Sequence, residues 1–337
     1  MTNRVDPSLA SARPWWILAA LVLLFAVAFA GAAANYVRHY AISPSSVVGI
    51  YCSFVFEVTL VIAPGLGEIR ERIRHGLARR AGWAALPIAC CTPYLIYAAG
   101  TGDWRWDAIA RLLAVALAVL LPYVLVPVRD PARFAWQDAV VAVALIVAVL
   151  SRFLHGIWNV PVNLDFFARL FLVTVGVWCW TFVRPVPALG YELRLSWKVL
   201  RAAAANFIYF AVVGIPLSFA LRFTAWHPRW HGAGTFCLDY LEILLFVALL
   251  EETFFRGFLQ SLLAKSFHSW WKGQALVACL FGLFHILHAP FPNWRYVLLA
   301  TGAGWFYGSA FRQGGSLLAS SLVHAMVDTV WRSFLTR

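Results

Sequence analysis

The sequence predicts an all-α fold, a polytopic transmembrane helical bundle of about 10–11 spans with a four-helix core at its C-terminal end. Three observations predict it. Apolar residues make up 62% of the 337-residue chain. Charged residues make up only 12%, about half the roughly 25% that a solvated domain carries. Mean hydropathy is +0.75. Together they exclude a soluble globular domain and a disordered chain.

A hydrocarbon core about 30 Å thick needs about 20 apolar residues per helix. On that ruler the candidate spans are Trp15–Tyr36, Ser46–Leu66, Ala81–Gly100, Ile109–Val128, Ala139–Leu154, Phe166–Val183, Ala202–Phe223, Leu238–Leu263, Gly273–Ala289, Tyr296–Phe311 and Ser316–Leu335. The fifth, ninth and tenth are short. The first follows Arg4 and Arg13 and runs about 22 residues, longer than the 7–15 of a signal-peptide core, so an uncleaved first span is expected.

Loop charges set the orientation. An inside N-terminus places Arg4 and Arg13, the Glu68–Arg80 loop with Arg70, Arg72, Arg74, Arg79 and Arg80, and Arg129, Arg133 and Arg184 on the inner side. The net charge of +12 is explained by these loops. No clustered basic face marks a nucleic-acid partner. Only three of the 27 basic residues are Lys, the bias of a GC-rich genome, which points to the inner membrane of a bacterium.

Gly190–Arg201 is amphipathic and is expected to lie as a helix at the inner surface. It makes a seam between 1–189, a set of N-terminal helices of unread role, and a C-terminal core at 190–337. The six cysteines, Cys52, Cys90, Cys91, Cys179, Cys237 and Cys279, lack the spacing of a disulfide framework or thiolate metal site. They are expected to be buried as small hydrophobes.

Ionisable residues inside spans are costly, roughly 2.5–3.5 kcal/mol each at a helix centre on insertion scales, and are functional candidates. The first seven spans hold few, namely Glu57 and, near their ends, Arg111, Arg152 and Arg169. The last four hold Glu251, Glu252, Arg256, His285, His288, His324 and Asp328. On a helix Glu252 and Arg256 are i, i+4 neighbours, so Arg256 can neutralise Glu252 while Glu251, rotated about 100° away, stays free. His324 and Asp328 are again i, i+4. At about 1.5 Å per residue, Glu251 lies roughly 18–20 Å from the inner surface, His285 roughly 18 Å and His324 roughly 17 Å. Carboxylates and imidazoles meeting at one depth suit the activation of water, with further groups that stabilise an oxyanion or hold a metal.

Glu251-Glu252-x-x-x-Arg256, Phe281-x-x-x-His285 and His324-x-x-x-Asp328 together resemble the three motifs of the CAAX-protease and bacteriocin-processing (CPBP) intramembrane proteases. The resemblance covers roughly the last 100–140 residues. It implies an integral membrane endopeptidase that cuts a membrane-associated protein or peptide, lipidated or carrying a C-terminal signal, in a cavity between helices. By analogy Glu251 with His285 activates water, His324 and residue 328 stabilise the oxyanion, and Glu252 and Arg256 support the site. The family usually has Asn where this chain has Asp328, and an ionised carboxylate cannot donate a hydrogen bond. A divalent metal such as zinc on Glu251, His285, His324 and Asp328, or no cofactor at all, are both left open.

His288, Asp239 and Glu242 are outside these motifs; His288 is expected to be structural. His227 and His231, flanking Trp226 and Trp230, read as an interfacial aromatic belt, and Glu57 is expected to pair across helices. Two other functions stay in view. A non-catalytic binding or immunity scaffold would keep the fold without the chemistry. A proton-coupled transporter would use Glu251, His285 and His324 as a relay, but the chain shows no repeated halves. The oligomeric state is not legible.

Overall fold

The structure, a computed structural model, describes residues 13–77 and 82–336. Arg4, Arg79 and Arg80, three of the charges expected on the inner side, and Ala81, the expected start of the third span, lie outside the described residues.

Every expected apolar run becomes a helix. In chain order they are α1 (Arg13–His39), α2 (Pro44–Ile62), α3 (Gly67–Leu77), α4 (Gly82–Thr101), α5 (Trp106–Leu125), α6 (Trp136–Leu150), α7 (Phe166–Val183), α8 (Trp197–Ala220), α9 (Ala233–Ser266), α10 (Trp270–Leu283), α11 (Trp294–Gly314) and α12 (Leu317–Phe334). A two-residue strand, β1 (Ala225–Trp226), pairs antiparallel with β2 (Leu335–Thr336). The fold is an all-α bundle, 76% helical.

Among the described residues six helices are long and apolar enough to cross a membrane, namely α1, α2, α5, α7, α8 and α9. Helices α4 and α6 are apolar but short. The last three expected spans are the helices that carry polar residues: α10 has 14 residues, and α11 and α12 hold Thr, Ser, Gln, His and Asp within their lengths.

Local chemistry explains where helices start. The hydroxyls of Ser43, Ser196, Ser269 and Ser316 each accept from a backbone N–H of the first turn, and the Asn293 side chain does the same for α11. Such a cap is worth about 1 kcal/mol. Helix α11 ends at Gly315, whose φ of 68° is the left-handed conformation that glycine adopts without a steric cost.

The expected surface helix at Gly190–Arg201 does not form. The segment is extended up to Ser196, and α8 starts at Trp197. Its backbone is engaged elsewhere: Leu193 N–H donates to Gly65 O at 2.9 Å, and Leu317 N–H donates to Gly190 O at 2.8 Å. Tyr191 is buried and its hydroxyl donates to Val61 O at 2.7 Å. The amphipathic helix is α3 instead, in the stretch expected as a loop. Arg74 pairs with Glu71 at i, i+3, and Arg70 reaches the 191–192 segment through Tyr191 O and Glu192.

The apolar core is continuous across the expected seam, from Phe54 and Val58 in α2 through Phe167 and Trp180 in α7 to Phe258 in α9 and Val323 in α12. Helices α2 and α4 touch backbone to backbone: a Cβ on Gly49 would come within 2.5 Å of Gly100 Cα, the close approach that small residues allow in membrane bundles. Glu57 does pair across helices, accepting from the Thr174 hydroxyl at 2.6 Å. Arg184, counted as an inner-loop charge, is buried instead. It bridges to Asp138 at 3.2 Å and donates to the carbonyls of Pro131 and Arg133. The cysteine expectation holds for half of the set: Cys90, Cys91 and Cys179 are buried, while Cys52, Cys237 and Cys279 are exposed along the helices.

Candidate active site

Helix α9 presents Glu251 and Glu252 between two wide, i→i+5 bonded stretches, Leu244–Ala248 and Thr253–Gln260. Such widened turns shift the angular position of side chains and are frequent at functional sites. The ideal 100° step is therefore not the local geometry, yet the Glu252–Arg256 pair survives.

Arg256 Nη1 donates to Glu252 Oε1 at 2.8 Å, and its Nη2 donates to Gly304 O at 3.0 Å. Both side chains are fully buried. Arg256 also lies 4.4 Å from the ring centre of Phe281 and 5.3 Å from that of Tyr307. A buried guanidinium needs this many partners, because a charge left uncompensated in a low-dielectric interior is strongly destabilising. Gly304 makes room for it: a Cβ there would stand 3.2 Å from Arg256 Nη2 and 3.1 Å from Phe281 Cδ1.

Glu252 Oε1 has a second donor. His324, from α12, gives it the Nδ1 proton at 2.8 Å. A carboxylate accepting at Nδ1 selects the ring orientation and leaves Nε2 facing the other way. That nitrogen sits 3.5 Å from Asp328 Oδ2 and 4.0 Å from Glu251 Oε2. Side-chain exposure rises along this series, from none at Glu252 to 4% at His324, 32% at Glu251 and 41% at Asp328. The buried members hold the frame, and the last two carboxylates face open space.

His285 departs from the expected span. Helix α10 stops at Leu283, and His285 lies in the turn beyond it, ahead of Pro290 and Pro292. Its Nδ1 still donates to Phe281 O at 2.8 Å. A carbonyl can only accept, so this bond places the ring proton on Nδ1 and leaves the Nε2 lone pair free. Phe281 spaces the two histidines, with its ring centre 5.0 Å from that of His285 and 5.8 Å from that of His324.

Glu251, His285, His324 and Asp328 all line one cavity of about 980 Å³. Much of its wall is apolar, from Leu172 and Val173 in α7 and Phe246, Leu250 and Phe254 in α9 to Phe284 beyond α10. Helices α6 and α7 of the N-terminal half thus form part of the enclosure. Arg152, His155, Asp165 and Arg169 line it as well, and the short contact of His155 with Asp165 ties the loop between α6 and α7. In the sequence the two arginines read only as span-end charges.

His288 also lines the cavity, stacked on His285 at 5.5 Å. Tyr296 and Tyr307, which no sequence motif marks, complete the aromatic surroundings of the histidines. A tyrosine in an apolar helix carries no signal that separates it from a core aromatic. Asp239 and Glu242 pair with Arg332, itself a cavity-lining residue, at 3.4 and 3.1 Å. In the 225–232 segment, Trp226 and Trp230 stack on Phe334, and the backbone N–H of His227 donates to Phe334 O.

A metal on Glu251, His285, His324 and Asp328 is one of two alternatives left open by the sequence. Among the described residues no group of three or more His, Cys, Asp or Glu side chains is arranged to hold a metal ion. His324 Nδ1 is committed to Glu252, which leaves only its Nε2 facing Asp328 and Glu251.

Residues 233–330 match a family model described as type II CAAX prenyl endopeptidase Rce1-like. No curated protein and no solved structure matches the chain. The matched stretch runs from the start of α9 into α12 and contains all six motif residues, so this part of the chain is similar to the Rce1-like endopeptidases, in line with the CPBP family that its motifs resemble.

Proposed function

We propose that the protein is an intramembrane endopeptidase of the glutamate type, which hydrolyses a peptide bond of a membrane-associated protein or peptide within the cavity. One observation carries the reading: Glu251 faces the cavity beside His324 Nε2, while Glu252 and Arg256, with no exposure, hold His324 from behind.

Glu251 takes a proton from water, and the water oxygen bonds to the scissile carbonyl carbon. The free Nε2 of His285 accepts the water's hydrogen bond and orients it. The carbonyl oxygen becomes an oxyanion, which donors around His324 receive. Collapse breaks the C–N bond, and the proton held by Glu251 passes to the leaving nitrogen. The products are a carboxylate and an amine, and no step runs through a metal.

The apolar walls suit a substrate that enters with a hydrophobic stretch or lipid still attached, since burying such a group is favourable. In this reading 190–337 supplies the chemistry. Helices of 1–189 supply part of the wall, as α6 and α7 do. The inner membrane of a bacterium, with the N-terminus inside, is the location the loop charges favour.

The test is cleavage by purified protein in liposomes, offered short peptides with prenyl or apolar anchors and read by mass spectrometry. Products formed by wild type and missing with Glu251→Gln are expected. The same products from both proteins would contradict the proposal.

A further inference from the structure

The oxyanion in this mechanism needs hydrogen-bond donors, and they are scarce at the motif residues. Asp328 and Glu251 accept when ionised. His324 has given its Nδ1 proton to Glu252. Arg256 is turned toward Glu252 and Gly304, out of the cavity.

A neutral donor stacked directly on His324 stands beside them. Tyr307, on α11, is 1% exposed yet lines the cavity. Its ring stacks on His324 with centroids 4.6 Å apart and planes 19° apart. Phe281 meets it edge-on at 5.9 Å, and the Arg256 guanidinium lies 5.3 Å from its centre. The ring is thus held on three sides. Among the described residues its hydroxyl has no hydrogen-bond partner. A buried tyrosine hydroxyl normally finds one, and one left open beside a cavity has a proton to offer a ligand. The cavity's other tyrosine, Tyr296, packs on His285 and His288 instead.

We propose that the Tyr307 hydroxyl is a catalytic hydrogen-bond donor to the oxyanion of the scissile carbonyl, the part that the carboxylate at 328 cannot play. The inference rests on the protease reading above. Tyr307 keeps its proton throughout: the water proton goes to Glu251, the new C–O bond forms, and the phenol O–H shortens its hydrogen bond to the negative oxygen without transferring. The ring held by stacking costs no reorganisation when that charge develops.

The experiment compares Tyr307→Phe, Asp328→Asn, the double variant and Glu251→Gln in the liposome cleavage assay, with thermal midpoints measured alongside. Removing one oxyanion donor lowers kcat by about 100- to 1000-fold. Tyr307→Phe should show that loss with KM within about twofold and an unchanged midpoint. The double variant should regain at least tenfold over Tyr307→Phe, because a carboxamide in place of the Asp328 carboxylate can donate. Full kcat in Tyr307→Phe, or a loss that the double variant does not recover, overturns the inference. If Glu251→Gln is inactive in that case, the protease reading still stands. Full activity in Glu251→Gln would instead remove the reading on which the inference rests.

Discussion

His324 donates its Nδ1 proton to the oxygen of Glu252 that also receives Arg256, both at 2.8 Å. One buried carboxylate thereby balances a guanidinium and fixes an imidazole whose other nitrogen faces the cavity carboxylates. Three of the six motif residues act as a frame and hold the others in place.

Breaking that frame should cost stability before it costs chemistry. Glu252→Leu leaves Arg256 charged and unpaired in the interior, a loss of about 3–5 kcal/mol. A large fall in the midpoint of thermal unfolding in detergent is expected, and an unchanged midpoint would contradict the frame. Arg256→Lys should fall as well, because a single ammonium cannot reach Glu252 and Gly304 O with the fork of a guanidinium.

Glu251 should behave in the opposite way. Its side chain is 32% exposed to the cavity, so Glu251→Gln leaves the midpoint unchanged. Cleavage should fall at least about 100-fold, the lower range for losing a general base. A parallel loss of folding would show Glu251 to be part of the frame.

Close packing of α11 gives an independent check on the core behind the site. A Cβ at Gly308 would stand 2.6 Å from Gln260 Oε1 and 2.9 Å from Gln274 Cγ, in a region where both glutamines are buried. Gly308→Ala is expected to destabilise by about 1–3 kcal/mol, as overpacking does. A variant as stable as wild type would mean that α9 and α10 yield there.

The wall contributed by the N-terminal half should matter for substrate binding. Ala168, in α7, lines the cavity far along the chain from the motifs. Ala168→Trp fills part of that space and is expected to raise KM at least tenfold for an anchored peptide, with kcat changed less. Equal KM values would place the substrate elsewhere.

Chelation tests the donor arrangement. With no three-donor group among the described residues, prolonged dialysis against a strong chelator should leave cleavage intact. Loss of activity that returns with added zinc would show that the carboxylates and histidines rearrange around an ion.

Much of this was legible in the apolar runs and in the ionisable residues that interrupt them. Depth along the helices puts Glu251, His285 and His324 at one level, the motif resemblance groups the same residues, and they do line one cavity. The Glu252–Arg256 pair followed from helical spacing and held although the helix is widened at that point. What was hidden depends on partners distant in sequence. Gly190–Arg201 has an amphipathic pattern, but its backbone bonds to Gly65 and Leu317 decide its shape. Arg184 reads as a loop charge until Asp138 and two carbonyls enclose it. The proximity of Tyr307 to His324, and of α6 and α7 to the cavity, exists only in three dimensions.

The most direct measurement compares the termini of membrane proteins in cells expressing wild type or Glu251→Gln at matched levels. A terminus present only with wild type is the predicted result, and it would identify the substrate and the bond together. Identical termini in the two membranes, with the variant folded and inserted, would contradict the account.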